Sequence, residues 1–175
     1  MIFHKHKCIF VHVPKTGGTT IEKMFEQNGD KYDYSEKHLL LPSCKSRYSE
    51  YWNDYFKFSI VRNPWDRIYS IWYNHRKRGD IPADWSLPKY LSTLPNGDIL
   101  TLPQTTWLLG RLDNIWRYEN LQEAFGDIID MFDLKVVNIP HMKEMPDKPK
   151  YIDQFNAESK KHVERIYEHD IERWE

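Results

Sequence analysis

The stretch Val13-Pro14-Lys15-Thr16-Gly17-Gly18-Thr19-Thr20 lies between the apolar run 8–11 and the amphipathic stretch 21–25. This order is typical of a strand, a glycine-rich loop and a helix. The two glycines let backbone N–H groups approach an anion without a Cβ in the way. The N-terminus of the following helix adds unpaired N–H donors and the positive end of its dipole. Lys15 and the threonine hydroxyls add charge and donors, so the pattern favours phosphate binding over a simple glycine-rich turn.

The loop differs from the common nucleotide-binding loop, which needs a glycine, four residues and then Gly-Lys-Ser/Thr. The sequence contains no Gly-Lys pair, and Lys15 precedes the two glycines. The lysine is therefore expected at the mouth of the loop rather than at the start of the helix.

A second strand-to-helix turn follows the run Phe56–Val61. Asn63 suits an N-cap and Pro64 suits the first helical residue. The next apolar residues recur at helical spacing, so a helix is predicted with Arg62 at the turn. Members of this stripe are Trp65, Ile68, Tyr69 and Trp72. Because ligands of parallel α/β sheets bind beyond the carboxyl ends of the strands, Lys15 and Arg62 are expected to line one cleft.

The rest of the chain continues the alternation of strands and helices. Strands are predicted at 114–118 and 134–139, a short helix at 50–55, a helical turn at 87–91, and helices at 121–132 and 156–174. The segment 79–103 is rich in proline and is expected to be irregular. This order predicts a single domain, residues 1–175, with an α/β fold: a sandwich with a mainly parallel central sheet flanked by helices.

Composition limits the possible partners and compartment. The 175 residues include 25 basic and 26 acidic side chains, a balance that argues against duplex nucleic acid as the main partner. Two cysteines and no long apolar run predict a cytoplasmic protein without a disulfide framework or membrane span. His4, His6 and Cys8 alternate, but a frayed or solvated N-terminal strand is favoured over a metal site, and no metal is predicted. The oligomeric state stays open.

Two motifs together resemble the PAPS-dependent carbohydrate sulfotransferases, the group related to heparan sulfate 2-O-sulfotransferase and its bacterial relatives. The stretch 13–20 is similar to their 5′-phosphosulfate loop, and Phe58–Ser70 to their 3′-phosphate motif. The stretches 116–121 and 139–143 are similar to later landmarks. The resemblance implies a P-loop-like fold and the donor PAPS (3′-phosphoadenosine 5′-phosphosulfate), which leaves as PAP.

The resemblance also implies roles for individual residues. The 5′-phosphosulfate is assigned to Pro14, Lys15, Thr16, Gly17, Gly18, Thr19 and Thr20, and the 3′-phosphate to Arg62 and Ser70. Arg117 ends a predicted strand and is a further nucleotide ligand, unless Glu119 simply pairs with it. For Arg62 the alternative is a salt bridge to Asp66, and for Ser70 a solvated position.

Catalysis is assigned to Lys15, which would stabilise the leaving phosphate, and to His38 as the base, with His141 in reserve. His12 is expected to support the loop. The predicted reaction is in-line transfer of a sulfuryl group to a hydroxyl, with a carbohydrate as the expected acceptor. The alternatives are a small P-loop kinase and a non-catalytic nucleotide-binding module.

Overall fold

In the part of the chain that the structure describes, the central sheet has four strands in the order β1-β2-β3-β4. The computed structural model describes residues 1–94, 98–135, 139 and 150–175. The strands are β1 Ile2–Phe3, β2 Cys8–Val11, β3 Phe56–Val61 and β4 Asn114–Arg117. The α-helices of the described residues are α1 Gly18–Gln27, α2 Leu41–Arg47, α3 Pro64–Arg78, α4 Leu87–Ser92, α5 Gln104–Trp107, α6 Leu121–Met131 and α7 Ala157–Trp174.

The β2, β3 and β4 strands run parallel, and only the short β1 strand is antiparallel to its neighbour within the described sheet. Val11 at the end of β2 pairs with Ser59, and Val61 at the end of β3 pairs with Arg117. The carboxyl ends of these three strands therefore lie at one edge of the sheet. The predicted α/β fold with a mainly parallel sheet is confirmed.

The described chain divides into two compact units. The first comprises Met1–Val61 and the described part of Thr106–Glu144, and it contains the sheet. The second comprises Arg62–Thr105 and the described part of Met145–Glu175. The single domain expected from the sequence stays a prediction.

The core of the first unit lies between the sheet and helices α1 and α6. Phe10 of β2 and Phe58 of β3 stack with ring centroids 5.0 Å apart. Phe25 of α1 packs against both Phe58 and Phe132, which follows α6. Every residue of β2 is buried, as expected for a parallel strand covered on both faces.

The core of the second unit joins α3, α4 and α7 through residues such as Ile68, Leu91 and Val163. The predicted apolar stripe of α3 is confirmed, since Ile68, Tyr69 and Trp72 are buried. Asn63 caps this helix by accepting the main-chain N–H groups of residues 65 and 66. Asp170 of α7 accepts the main-chain N–H groups of Gln104 and Thr105.

Several local predictions need correction. Residues 50–54 form turns rather than the predicted short helix, and the helix of this region is α2, which begins nine residues earlier in sequence. The N-terminal strand is not solvated: residues 4–7 form a turn, while Cys8 is fully buried in β2. The predicted strand at 134–139 and the family landmark at 139–143 lie partly outside the described residues, and Pro95 and Gly97 lie outside them.

Candidate functional site

The loop between β2 and α1 turns sharply through two residues in the left-handed region. Lys15 has φ +68° and Gly17 has φ +85°, whereas Thr16 between them does not have a positive φ. A left-handed conformation is uncommon for lysine and costs on the order of 1 kcal/mol. Alternation of this kind directs successive backbone N–H groups into one concavity, which is an anion-binding arrangement.

The side chains of the loop hold this turn in place. Thr16 is fully buried, and its hydroxyl donates to the carbonyl of Val13 at 2.8 Å. Pro14 and Thr20 are buried, while Lys15 and Thr19 are half-buried. The Thr16 hydroxyl therefore stabilises the loop, in addition to the role in donor binding that the sequence predicts for Thr16.

Helix α1 begins directly after this loop and presents its first turn there. Gly17 occupies the N-cap position without a side-chain cap, and in the whole of α1, which the structure describes, the first turn carries no acidic residue. The first N–H groups of a helix lack intrahelical partners and attract anions. Lys15, the turn and the start of α1 thus form a donor set that fits a phosphate or sulfate group.

Gly18 is required by its neighbour His12, which packs under the start of α1. An ideal Cβ on Gly18 would lie 2.3 Å from both Nε2 and Cδ2 of His12. His12 is itself buried and held by Glu22, with Nδ1 2.5 Å from Oε1. Glu22 accepts a second bond from Lys37, whose Nζ lies 2.7 Å from Oε2. This supports the prediction that His12 braces the loop.

We therefore expect Gly18→Ala to destabilise the protein by about 1–3 kcal/mol, since an added methyl group forces a locked ring to move. This corresponds to a fall in Tm of roughly 2 to 12 °C. Gly126→Ala is the matched control, because a Cβ there meets nothing within 4 Å. The free energy of unfolding of this control should rise by up to about 1 kcal/mol, because alanine has a higher helix propensity than glycine. Equal Tm values for the two variants would contradict the packing argument.

His38 lies beside His12. Its Nδ1 is 3.1 Å from the main-chain carbonyl oxygen of His12, and the two rings have centroids 4.7 Å apart. The rings of Trp107 and His38 are nearly perpendicular, with centroids 6.1 Å apart. The structure thus brings the predicted base close to the residue that supports the loop. His141, the reserve candidate, lies outside the described residues.

Arg62 follows β3 directly and is buried. Its Nη2 lies 2.5 Å from Oδ2 of Asp66, so the ion pair considered from the sequence is present. Its main-chain N–H and carbonyl both bond the side chain of Gln104, at 2.9 and 2.7 Å. Both Nε and Nη2 of Arg62 donate to this carboxylate oxygen of Asp66, so the ion pair fixes the position of the guanidinium.

Ser70 and Arg117 are placed differently. Ser70 is only 1% exposed, because α3 is buried over a wider face than its apolar stripe predicts, including the neighbouring Tyr69 and Ile71. A solvated Ser70 is therefore wrong. Arg117 ends β4 and is partly exposed, with Nε 3.2 Å from Oε2 of Glu119. The ligand roles of both residues stay predictions.

Sequence reasoning missed Glu22, Lys37 and Gln104. Glu22 had a local signal, since it lies between Ile21 and Met24 on the buried side of α1, where a carboxylate needs partners. Gln104 and Lys37 had none, because their partners are distant in sequence. Among the described residues, no group of three or more His, Cys, Asp or Glu side chains is placed to hold a metal ion. No described helix is long and apolar enough to span a membrane.

A parallel sheet whose β2 strand leads through a lysine-glycine loop into a helix N-terminus defines an α/β protein of the P-loop-like class. The model of the sulfotransferase family matches residues 1–92, more than half of the chain. The chain belongs to the sulfotransferase family, and the predicted enzyme class is confirmed. Comparison with curated proteins gave no match.

A solved structure supports the fold. The crystal structure of mouse sulfotransferase SULT7A1 complexed with PAP is similar with a TM-score of 0.63 and 12% sequence identity. The similarity covers 99% of this chain and 87% of the mouse chain.

Proposed function

We propose that the protein transfers the sulfuryl group of PAPS to an acceptor hydroxyl. The observation that carries the proposal is the turn at Lys15 and Gly17, which leads into a helix N-terminus without an acidic residue in its first turn. Membership of the sulfotransferase family supplies the donor, and the mouse relative was crystallised with the product PAP. In this proposal residues 14–20 bind the 5′-phosphosulfate.

The 3′-phosphate is assigned to Arg62 and Ser70, and Arg117 is a further nucleotide ligand. Support comes from the family motif and from the position of Arg62 and Arg117 at the carboxyl ends of the neighbouring strands β3 and β4. A bidentate guanidinium is well suited to a phosphate.

Transfer forms a bond between the acceptor oxygen and sulfur while the bond from sulfur to the bridging phosphate oxygen breaks. Lys15 would stabilise the charge that develops on the leaving phosphate, and His38 would accept the proton of the acceptor hydroxyl. Both roles match general acid–base and electrostatic catalysis without a covalent enzyme intermediate. A carbohydrate is the proposed acceptor by the motif resemblance.

PAP should raise the melting temperature in the presence of EDTA. At a ligand concentration of about 100 Kd, binding adds about 2.7 kcal/mol of stability. For a chain of this size the shift is roughly 5 to 11 °C. Adenosine 5′-monophosphate lacks the 3′-phosphate and should give a smaller shift.

Two results would redirect the assignment. A Tm unmoved by saturating PAP, with a metal-dependent shift in ATP, would favour the kinase alternative. Tight PAP binding without transfer of labelled sulfate to any acceptor in a broad screen would favour a non-catalytic module.

A further inference from the structure

A buried network of three polar side chains connects the loop, helix α1 and the segment that carries His38. The side chains of His12, Glu22 and Lys37 are 4%, 2% and 10% exposed. Glu22 is the centre of the network, because one of its carboxylate oxygens accepts a hydrogen bond from His12 and the other accepts one from Lys37. A buried ion pair is often no more stabilising than apolar residues of the same volume. Stability alone therefore does not account for three such groups at this position.

The network fixes the protonation of His12. A carboxylate can only accept, so Nδ1 of His12 carries the proton that is shared with Glu22. Burial lowers the pKa of His12 to about 4 in spite of this hydrogen bond, which keeps the ring neutral at pH 7. Burial alone would raise the pKa of Glu22, but the bonds from His12 and Lys37 hold it below its usual value. The network is thus a neutral imidazole, a carboxylate and an ammonium group.

Two residues of this network adjoin His38: His12 through its main-chain carbonyl, and Lys37 as the preceding residue in the chain. The main-chain carbonyl of His12 can only accept, so Nδ1 of His38 carries a proton, and in the neutral ring the lone pair is then on Nε2. Lys37, the residue before His38, is tied to Glu22 and also lies over the ring of Tyr34 at 4.8 Å. A basic Nε2 is what a proton acceptor requires, and fixing the tautomer through Nδ1 is a common way of obtaining it.

We propose that Glu22 is a positioning residue: through His12 and Lys37 it holds His38 in the tautomer with a basic Nε2 and holds the start of α1 against the loop. The catalytic part of this inference rests on the proposed function. The tautomer itself does not, since it follows from contacts within the first unit.

The test is nitrogen-15 NMR of the histidine side chains, combined with PAP binding and turnover of labelled PAPS. In the wild-type protein, His12 and His38 should each show the neutral form with the proton on Nδ1. In Glu22→Gln, His38 should show a mixture of tautomers, and turnover should fall about 10- to 100-fold, as for other residues that orient a catalytic group. Glu26→Gln is the matched control, because Glu26 lies on the same helix but is exposed and pairs only locally with Lys23.

Glu22→Gln leaves Lys37 buried without its carboxylate, so Glu22→Gln combined with Lys37→Met provides a second variant if the first does not fold. A wild-type His38 with its proton on Nε2 would overturn the proposal, and so would an unchanged His38 tautomer in either folded Glu22 variant. PAP binding keeps the two proposals distinct. If the wild-type protein did not bind PAP but showed the expected tautomers, the sulfotransferase assignment would be refuted and the positioning role of Glu22 would stand.

Discussion

Lys15→Ala should lower turnover of PAPS about 10²- to 10³-fold, equivalent to about 3 to 4 kcal/mol of transition-state stabilisation. The reason is that the ammonium group is the charged donor of the loop, and the leaving phosphate gains charge as the bond to sulfur breaks. The measurement is transfer of labelled sulfate to an acceptor found by screening, with PAP binding followed separately by thermal shift. PAP affinity should fall less than turnover, because the charge is greatest in the transition state.

The backbone of Lys15 makes this substitution easy to interpret. Alanine keeps a Cβ, so the strain of φ +68° is unchanged and only the charged group is lost. Lys15→Gly should remove the strain and stabilise the fold by roughly 1 kcal/mol while turnover stays low. The two variants together separate the backbone of the loop from its charge.

Lys7→Ala is the matched control for Lys15→Ala. Lys7 is also a lysine with positive φ, +49°, but it is exposed in the turn before β2, at the opposite end of that strand from the loop. Its substitution should leave turnover unchanged. If Lys15→Ala retained turnover within about threefold of the wild type, the charge would not be acting on the leaving group.

The parts of the fold that the sequence predicted are those with local causes. Asn63 and Pro64 start α3 because capping and ring geometry depend only on adjacent residues. The same holds for Asn156, which caps α7 by accepting the N–H of Ser159 at 2.8 Å. The strand, glycine pair and helix around Lys15 follow from equally short patterns. These features include the phosphate-binding half of the candidate site.

The parts that the sequence did not predict depend on long-range contacts. The two residues of β1 are too few for a periodic signal, and β1 exists because Ile2 pairs with Ile9. The burial of Ser70 depends on what packs against α3, which helical periodicity alone does not give. Glu22 and Lys37 are 15 residues apart in sequence and meet in space with His12. A buried polar network is assembled by tertiary structure, so Lys37 looks like an ordinary surface residue in the sequence, and the place of Glu22 on the buried side of α1 does not reveal its partners.

His38→Ala should lower turnover about 10²- to 10⁴-fold, the usual contribution of a positioned base. PAP binding should stay within about threefold of the wild type, because His38 has no assigned contact with the nucleotide. Exogenous imidazole should restore part of the activity, since the cavity left by the ring can admit a small base. His169→Ala is the control, because His169 is exposed on α7 and pairs only with Glu172.

The pattern of effects separates His38 from its supporting residues. If His38 is the base, Glu22→Gln should be additive with a control such as His169→Ala but not with His38→Ala, because a positioning residue has nothing to orient once the base is gone. Imidazole should restore turnover to His38→Ala but not to Glu22→Gln, since the Glu22 variant still has the His38 ring in the site. If His38→Ala kept more than about a tenth of the wild-type turnover, proton removal would belong to another group. The contact of His38 with the His12 carbonyl would then serve the loop alone.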